Sequence, residues 1–169
     1  MPQTNSPSPA TAGNHIGHRG LIATAIILTV IILDQILKIW VKTHFYLNED
    51  LEITSWFHLH FIENNGMAFG MEFGPKIFLT IFRLVLAAGL IWVLVRIKGM
   101  AAVKTGFLVC LALIIAGAIG NIIDCVFYGV IFNNPMPPEV AQMFPPGGGY
   151  ATLFHGRVVD MLYFPLFSF

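Results

Sequence analysis

Asp34, Asn64, Asn121, Asp124 and Asp160 are acids and amides set in a chain that is otherwise strongly apolar. Asp34 and Asp124 fall inside stretches greasy enough to cross a bilayer, while Asn64 and Asp160 fall in connections between such stretches. Ionisable groups at membrane depth are costly to hold, so they commonly mark a working site. Their chemistry is narrowed by what the rest of the chain lacks. No serine sits in a Gly-x-Ser-x-Gly frame, and no Ser–Lys or Ser–His pairing is visible. The histidines are scattered; His58 and His60 would share a strand face, but no acid or cysteine completes a ligand set with them. No metal and no cofactor is expected. Carboxylate chemistry remains, in which two carboxyls sharing a proton activate water and polarise a carbonyl.

Each group also has a plainer reading. Asp34 and Lys38 are four apart, acid before base, and suit an intrahelical pair that clamps and neutralises both charges, with Gln35 joining the polar patch. Asn121 and Asp124, three apart, share a helix face and could be no more than a polar cap at the membrane surface. Asn64-Asn65-Gly66 alone reads as an ordinary turn. Arg157 and Asp160 could pair with each other at the interface, and Arg83, Lys38 and Lys42 could snorkel toward water.

The elements that must position these groups are membrane helices. Of the 169 residues 56% are hydrophobic and only 11% charged, with a mean hydropathy of +0.76. A soluble domain carries about a quarter charged residues, so this surface needs lipid. The net charge is zero, which offers nothing to nucleic acid. Three stretches can span: residues 21–42, 77–97 and 103–127. Arg96, Lys98 and Lys104 crowd the link between the last two, which places that link in the cytoplasm. The segments 43–76 and 128–160 then lie outside, and the five polar groups gather at the outer rim. Residues 1–19, rich in Pro, Ser, Thr, Asn and Gly, read as a disordered cytoplasmic leader, and residues 20–169 as one membrane domain.

Residues 51–61 alternate apolar and polar side chains, which predicts strands in a small sheet on the membrane surface. The fold class is therefore a mainly α membrane protein, a small bundle with an outer β-rich segment. Residues 133–149, with two Pro-Pro pairs and Gly147-Gly148-Gly149, predict a loop. Ala112, Ala116 and Gly120, with Gly117 beside them, would let another helix approach closely. Cys110 and Cys125 read as small buried fillers. A further apolar segment begins at Met161, as a surface stub or the start of another helix.

Taken together, four segments resemble the lipoprotein signal peptidases, the type II signal peptidases of the bacterial inner membrane. They are Asp34-Gln35-Ile36-Leu37-Lys38, Asn64-Asn65-Gly66-Met67-Ala68-Phe69-Gly70, Gly120-Asn121-Ile122-Ile123-Asp124 and Gly156-Arg157-Val158-Val159-Asp160-Met161. The resemblance covers about residues 20–169. It implies an aspartic peptidase that cleaves diacylglyceryl-modified prolipoproteins before the lipid-bearing cysteine, facing the periplasmic side, in contact with membrane lipids and acting as a monomer. It implies Asp160 as one catalytic carboxyl, Asn64, Asn121 and Asp124 as supporting groups, and Asp34, Gln35, Lys38 and Gly66 as the structural clamp. Cys125 stands where that family usually has Arg, the insert from about 133 to 155 is long, and the Phe-Asn-x-Ala-Asp segment that opens a fourth helix is absent. That segment carries the second catalytic Asp, so the 169-residue chain is expected not to cleave.

Two other classes stay open. A small ion-coupling transporter could use Asp34, Lys38 and Asp124 as a relay, although the inner half of the spans holds no acid. A catalytically dead module could hold lipoprotein precursors. Within the enzyme reading, Asp124 and Asp160 could themselves form the dyad.

Overall fold

The computed structural model describes residues 9–64, 76–100 and 102–165. Three helices are long and apolar enough to cross a membrane: His18–His44, Ile77–Ile97 and Thr105–Ile131. The first belongs to a longer helix, α1, which runs Pro9–His44, so residues 9–19 of the expected leader are helical. Helix α2 is Lys76–Ile97 and α3 is Thr105–Ile123. After Ile123 the helix loosens into a π-turn, Asp124–Tyr128, and closes with one α-turn, α4, at Gly129–Ile131. This carries the third span four residues beyond the expected end at residue 127.

Most of the helix surface faces outward and is apolar. Leu28, Ile32 and Leu33 on α1, Phe82 and Trp92 on α2, and Ile114 on α3 are all exposed. In water such a surface would drive aggregation; in a bilayer it needs no cover. The interior is correspondingly narrow. Ala23, Leu94, Leu108, Leu111, Ala112 and Ile115 pack at one end of the bundle. There Arg19 donates to the carbonyls of Met100 (3.2 Å) and Val103, satisfying the link between α2 and α3. Ala112, Ala116 and Gly120 are buried, and Gly117 is exposed with open space where a Cβ would stand.

At the other end lies a three-stranded antiparallel sheet in the order β1 (Asp50–Thr54), β2 (Phe57–Asn64), β3 (Val158–Tyr163). The predicted strand segment is thus a hairpin, turned at Ser55-Trp56, whose third strand comes from more than ninety residues away. Met161, read as opening a further segment, instead sits in β3. The sheet rests on Val41, Phe45, Leu59, Phe61, Tyr128, Phe132, Val159 and Met161, a second core that joins α1, the end of α3 and the strands. Register places Ile62 opposite Asp160 and Asn64 opposite Val158.

Candidate active site

Lys38 is the hub that joins two spans. Its ammonium, only 3% exposed, has three protons and meets three oxygens: Asp124 Oδ2 at 2.6 Å, Asn121 Oδ1 at 2.9 Å and Asp34 Oδ2 at 3.3 Å. The Asp34–Lys38 pair expected within α1 is therefore the longest of the three contacts, and the principal partner belongs to α3. Lys38 does not snorkel; neither does Lys42, which is equally buried.

Asp124 is fully buried and spoken for. Oδ2 takes the Lys38 ammonium and the Val159 N–H (3.2 Å), and Oδ1 takes Gln35 Nε2 (3.1 Å). Gln35 Nε2 also reaches Asp34 Oδ2 and the Gly120 carbonyl, while its Oε1 accepts from Tyr128 O–H at 3.1 Å. Gly120 gives the Asp34 carboxylate its place: a Cβ there would press on it and the carboxylate would have to shift. A buried ion pair is stable only when its remaining donors and acceptors are met, and these are. The cluster ties α1, α3 and β3 together with the charge enclosed.

Asp160 stands apart from that enclosure. It lies on β3, one residue after the strand backbone that Asp124 holds, and its carboxylate accepts a hydrogen bond from Asn64 of β2. It borders an open cleft of about 410 Å³, together with Asp34, Lys38, Ile62, Asn121 and Leu162 among others. Burial pushes the Asp160 carboxyl above the usual range; the Asn64 hydrogen bond and the Lys38 and Arg83 charges pull it part of the way back, and Asp34 opposes them. A carboxyl that is half desolvated, hydrogen-bonded on one side and open on the other is suited to exchanging protons with a substrate.

So Asp34, Gln35, Lys38, Asn64, Asn121, Asp124 and Asp160 converge at the sheet end of the bundle. Gly66 lies outside the described residues. The sequence reading missed other contacts. Arg157 pairs with Glu63 Oε2 (3.1 Å), not with Asp160, and Glu63 also takes the buried Lys42 ammonium. Tyr150 of the insert lies under both cations, and its hydroxyl accepts the Arg157 N–H at 2.7 Å. Arg83 does not merely snorkel, because its Nη1 donates to Cys125 Sγ at 3.1 Å. Cys125 is buried as expected, whereas Cys110 is exposed. Asp50 stands 2.9 Å from His58 Nδ1 and 3.7 Å from His60 Nδ1, an acid partner for that pair that the alternation did not reveal. Among the described residues no three His, Cys, Asp or Glu side chains converge as a metal site. The Arg157–Glu63, Lys42–Glu63 and Arg83–Cys125 contacts join residues far apart in sequence, where no spacing rule reaches.

A multi-pass membrane protein with a carboxyl-lined cleft at one end of its bundle is the class these features define. The chain belongs to the family described as Signal peptidase (SPase) II, matching it over residues 26–169. It is 51% identical over 148 residues to a lipoprotein signal peptidase of Porphyromonas gingivalis, covering 88% of this chain and 65% of that protein. A lipoprotein signal peptidase of Amoebophilus asiaticus is 34% identical over 149 residues, covering 85% of this chain and 59% of the other. The chain thus spans less than two thirds of the length of either relative. Two solved bacterial membrane enzymes share the fold, with TM-scores of 0.60 and 0.58 at 22% identity; the matches cover 88% of this chain and 73% and 77% of theirs.

Proposed function

We propose that this chain forms the greater part of a membrane aspartic endopeptidase that removes signal peptides from diacylglyceryl-modified prolipoproteins. It works in the bacterial inner membrane with its cleft toward the periplasm, residues 20–169 acting as one domain of a monomer. Asp160 is one of the two catalytic carboxyls. The observation that carries this reading is that Asp160 borders the open cleft on a strand, while Asp124 next to it is enclosed and saturated.

Peptide hydrolysis by a carboxyl pair needs one ionised member to take a proton from water as the oxygen attacks the carbonyl carbon. The other, protonated, donates to the carbonyl oxygen, and the proton gained from water then passes to the leaving amine. The resemblance assigns the second carboxyl to a Phe-Asn-x-Ala-Asp segment, which residues 1–169 do not contain. Asn64 orients Asp160, and Asn121, Asp124, Lys38, Asp34 and Gln35 fix the strand that carries it. The site at the bundle's end supports a lipid-anchored substrate: the signal helix can remain among the spans while water reaches the scissile bond from the rim. The link rich in Arg96, Lys98 and Lys104 lies at the far end, which supports the periplasmic assignment.

The test is cleavage of a lipidated precursor by the full-length protein. Asp160→Asn is expected to lower the rate by about 10³-fold or more. Asp124→Asn is expected to slow cleavage less, by loosening β3. A rate for Asp160→Asn near that of the parent, with Asp124→Asn inactive, would reverse the assignment.

A further inference from the structure

The chain between α4 and β3 does not simply loop through water. After Ile131 it rises to a tip, returns, and then descends beside the end of the third span. The level can be read from its hydrogen bonds. Phe144 N–H meets the Ile131 carbonyl (2.7 Å), Tyr150 N–H meets Phe132 (2.9 Å) and Ala151 N–H meets Gly129 (2.9 Å). Lower still, Phe154 N–H meets the Val126 carbonyl (3.1 Å) and Gly156 N–H meets Cys125 (2.8 Å). Gly129 and Gly156 permit this approach, since a Cβ on either would meet the opposite chain. Val126 lies five residues before the end of the apolar stretch Thr105–Ile131, so the turn at Phe154 stands roughly 7 Å back along that stretch at the helical rise per residue.

Irregular backbone is tolerated at that depth only where its polar groups are satisfied. Here they are. The π-turn frees carbonyls that the descending N–H groups fill, Thr80 Oγ1 donates to the Phe154 carbonyl (3.2 Å), and His155 Nδ1 lies 3.1 Å from Thr152 Oγ1 and 2.9 Å from the Leu153 carbonyl. Large apolar side chains face outward there, among the exposed Gln142, Gly147, Gly148, Gly149 and Thr152. Phe144 is 73% exposed, Leu153 48% and Phe154 38%. Phe144 and Phe154 both hold positive φ, 52° and 66°, a conformation that bulky L side chains avoid. That strain falls on two aromatic residues displayed at the level of the span. Beside them Phe127 and Val130 of the span itself are exposed, so the apolar surface is continuous with the face the helices present to lipid.

We propose that this insert is a re-entrant membrane anchor whose Phe144 and Leu153-Phe154 turns sit among the acyl chains of the leaflet at the C-terminal end of α3. The anchor holds the approach to β3 in the membrane interface. Met136, 84% exposed, lies in the loop that the Phe132–Met143 bridge closes and stays in water.

The test places the photo-crosslinker benzoylphenylalanine at position 144, 154 or 136 of the full-length protein, in vesicles of phosphatidylethanolamine and phosphatidylglycerol without substrate. Phospholipid adducts detected by mass spectrometry should be several-fold more abundant from 144 and 154 than from 136. Adducts at 144 and 154 to another protein chain, or lipid labelling at both no greater than at 136, would overturn the anchor. The readout uses no cleavage, so its failure leaves the peptidase reading untouched.

Discussion

Asp124 and Asp160 are acids near one end of the same bundle, the first fully buried and the second half-buried, and their surroundings differ in kind. Asp124 meets a cation, an amide and a backbone N–H, with no oxygen left over. Asp160 has an amide partner in Asn64, the charges of Lys38, Arg83 and Asp34 acting on it, and an open cleft. A carboxylate saturated in a closed site contributes architecture, because every interaction it can make is already made in the resting protein. One left partly unsatisfied beside a cleft keeps capacity for a reacting group. The two are joined through Val159, whose N–H binds Asp124 and whose neighbour is Asp160, so the enclosed acid fixes the backbone beside the open one.

Three perturbations sharpen this contrast, beginning with the largest in stability. Lys38→Met strands Asp124 without its cation, and removing one partner of a buried pair costs about 3–5 kcal/mol. The loss should appear as a lower thermal midpoint of the purified protein. Adding Asp124→Leu to Lys38→Met should recover a large part of it; a double variant no better than the single one would mean that Asp124 is not the partner that matters. Next, Gly156→Ala drives a Cβ against the Asp124 backbone carbonyl, which cannot swing away, and overpacking of this kind costs about 1–3 kcal/mol. Gly117→Ala, with open space around it, is the matched control and should leave the midpoint unchanged or slightly raised. Equal effects at 117 and 156 would contradict the close approach of the insert to the π-turn.

The smallest effect concerns pH. Burial raises the Asp160 carboxyl above its unfolded value, so the folded state binds the proton more tightly than the unfolded chain. Stability from this group is fully present below the unfolded value and is lost as pH rises through the folded one. Asp160→Asn, which carries no charge to bury, should therefore gain thermal stability over the parent at neutral pH, and the gain should vanish at strongly acid pH. The same variant would lose cleavage, the signature of a group kept for chemistry at some expense in stability. A loss of stability at neutral pH would place Asp160 with Asp124 as a clamp.

The sequence made the helices legible because a span is a local property: some twenty apolar residues in a row suffice. Residues 77–97 match the second span at both ends, and the first and third spans differ from expectation only at their ends. The strands were half legible. The alternation through residues 51–61 marked β structure, but β3 is six residues long and its partner is distant, so nothing local distinguished it from an interfacial stub. At the candidate site, residue types and their clustering at one end could be read from charge, hydropathy and orientation. The assignment of partners could not. Lys38 has Asp34 four residues away and still binds Asp124 more closely, because helix crossing, not sequence spacing, sets that distance. Arg157 likewise passes over Asp160 for Glu63 across the sheet.

The chain by itself determined that it lives in a membrane, how many helices can cross, and which few polar side chains the apolar stretches must accommodate; these follow from one-dimensional composition and period. Tertiary structure alone decided which acid is closed and which is open. That distinction depends on whether donors from two other elements, α1 and β3, reach a carboxylate, and on a return of chain that fills the carbonyls of a π-turn. Both are facts of distance between residues far apart in sequence, where local physics has no say.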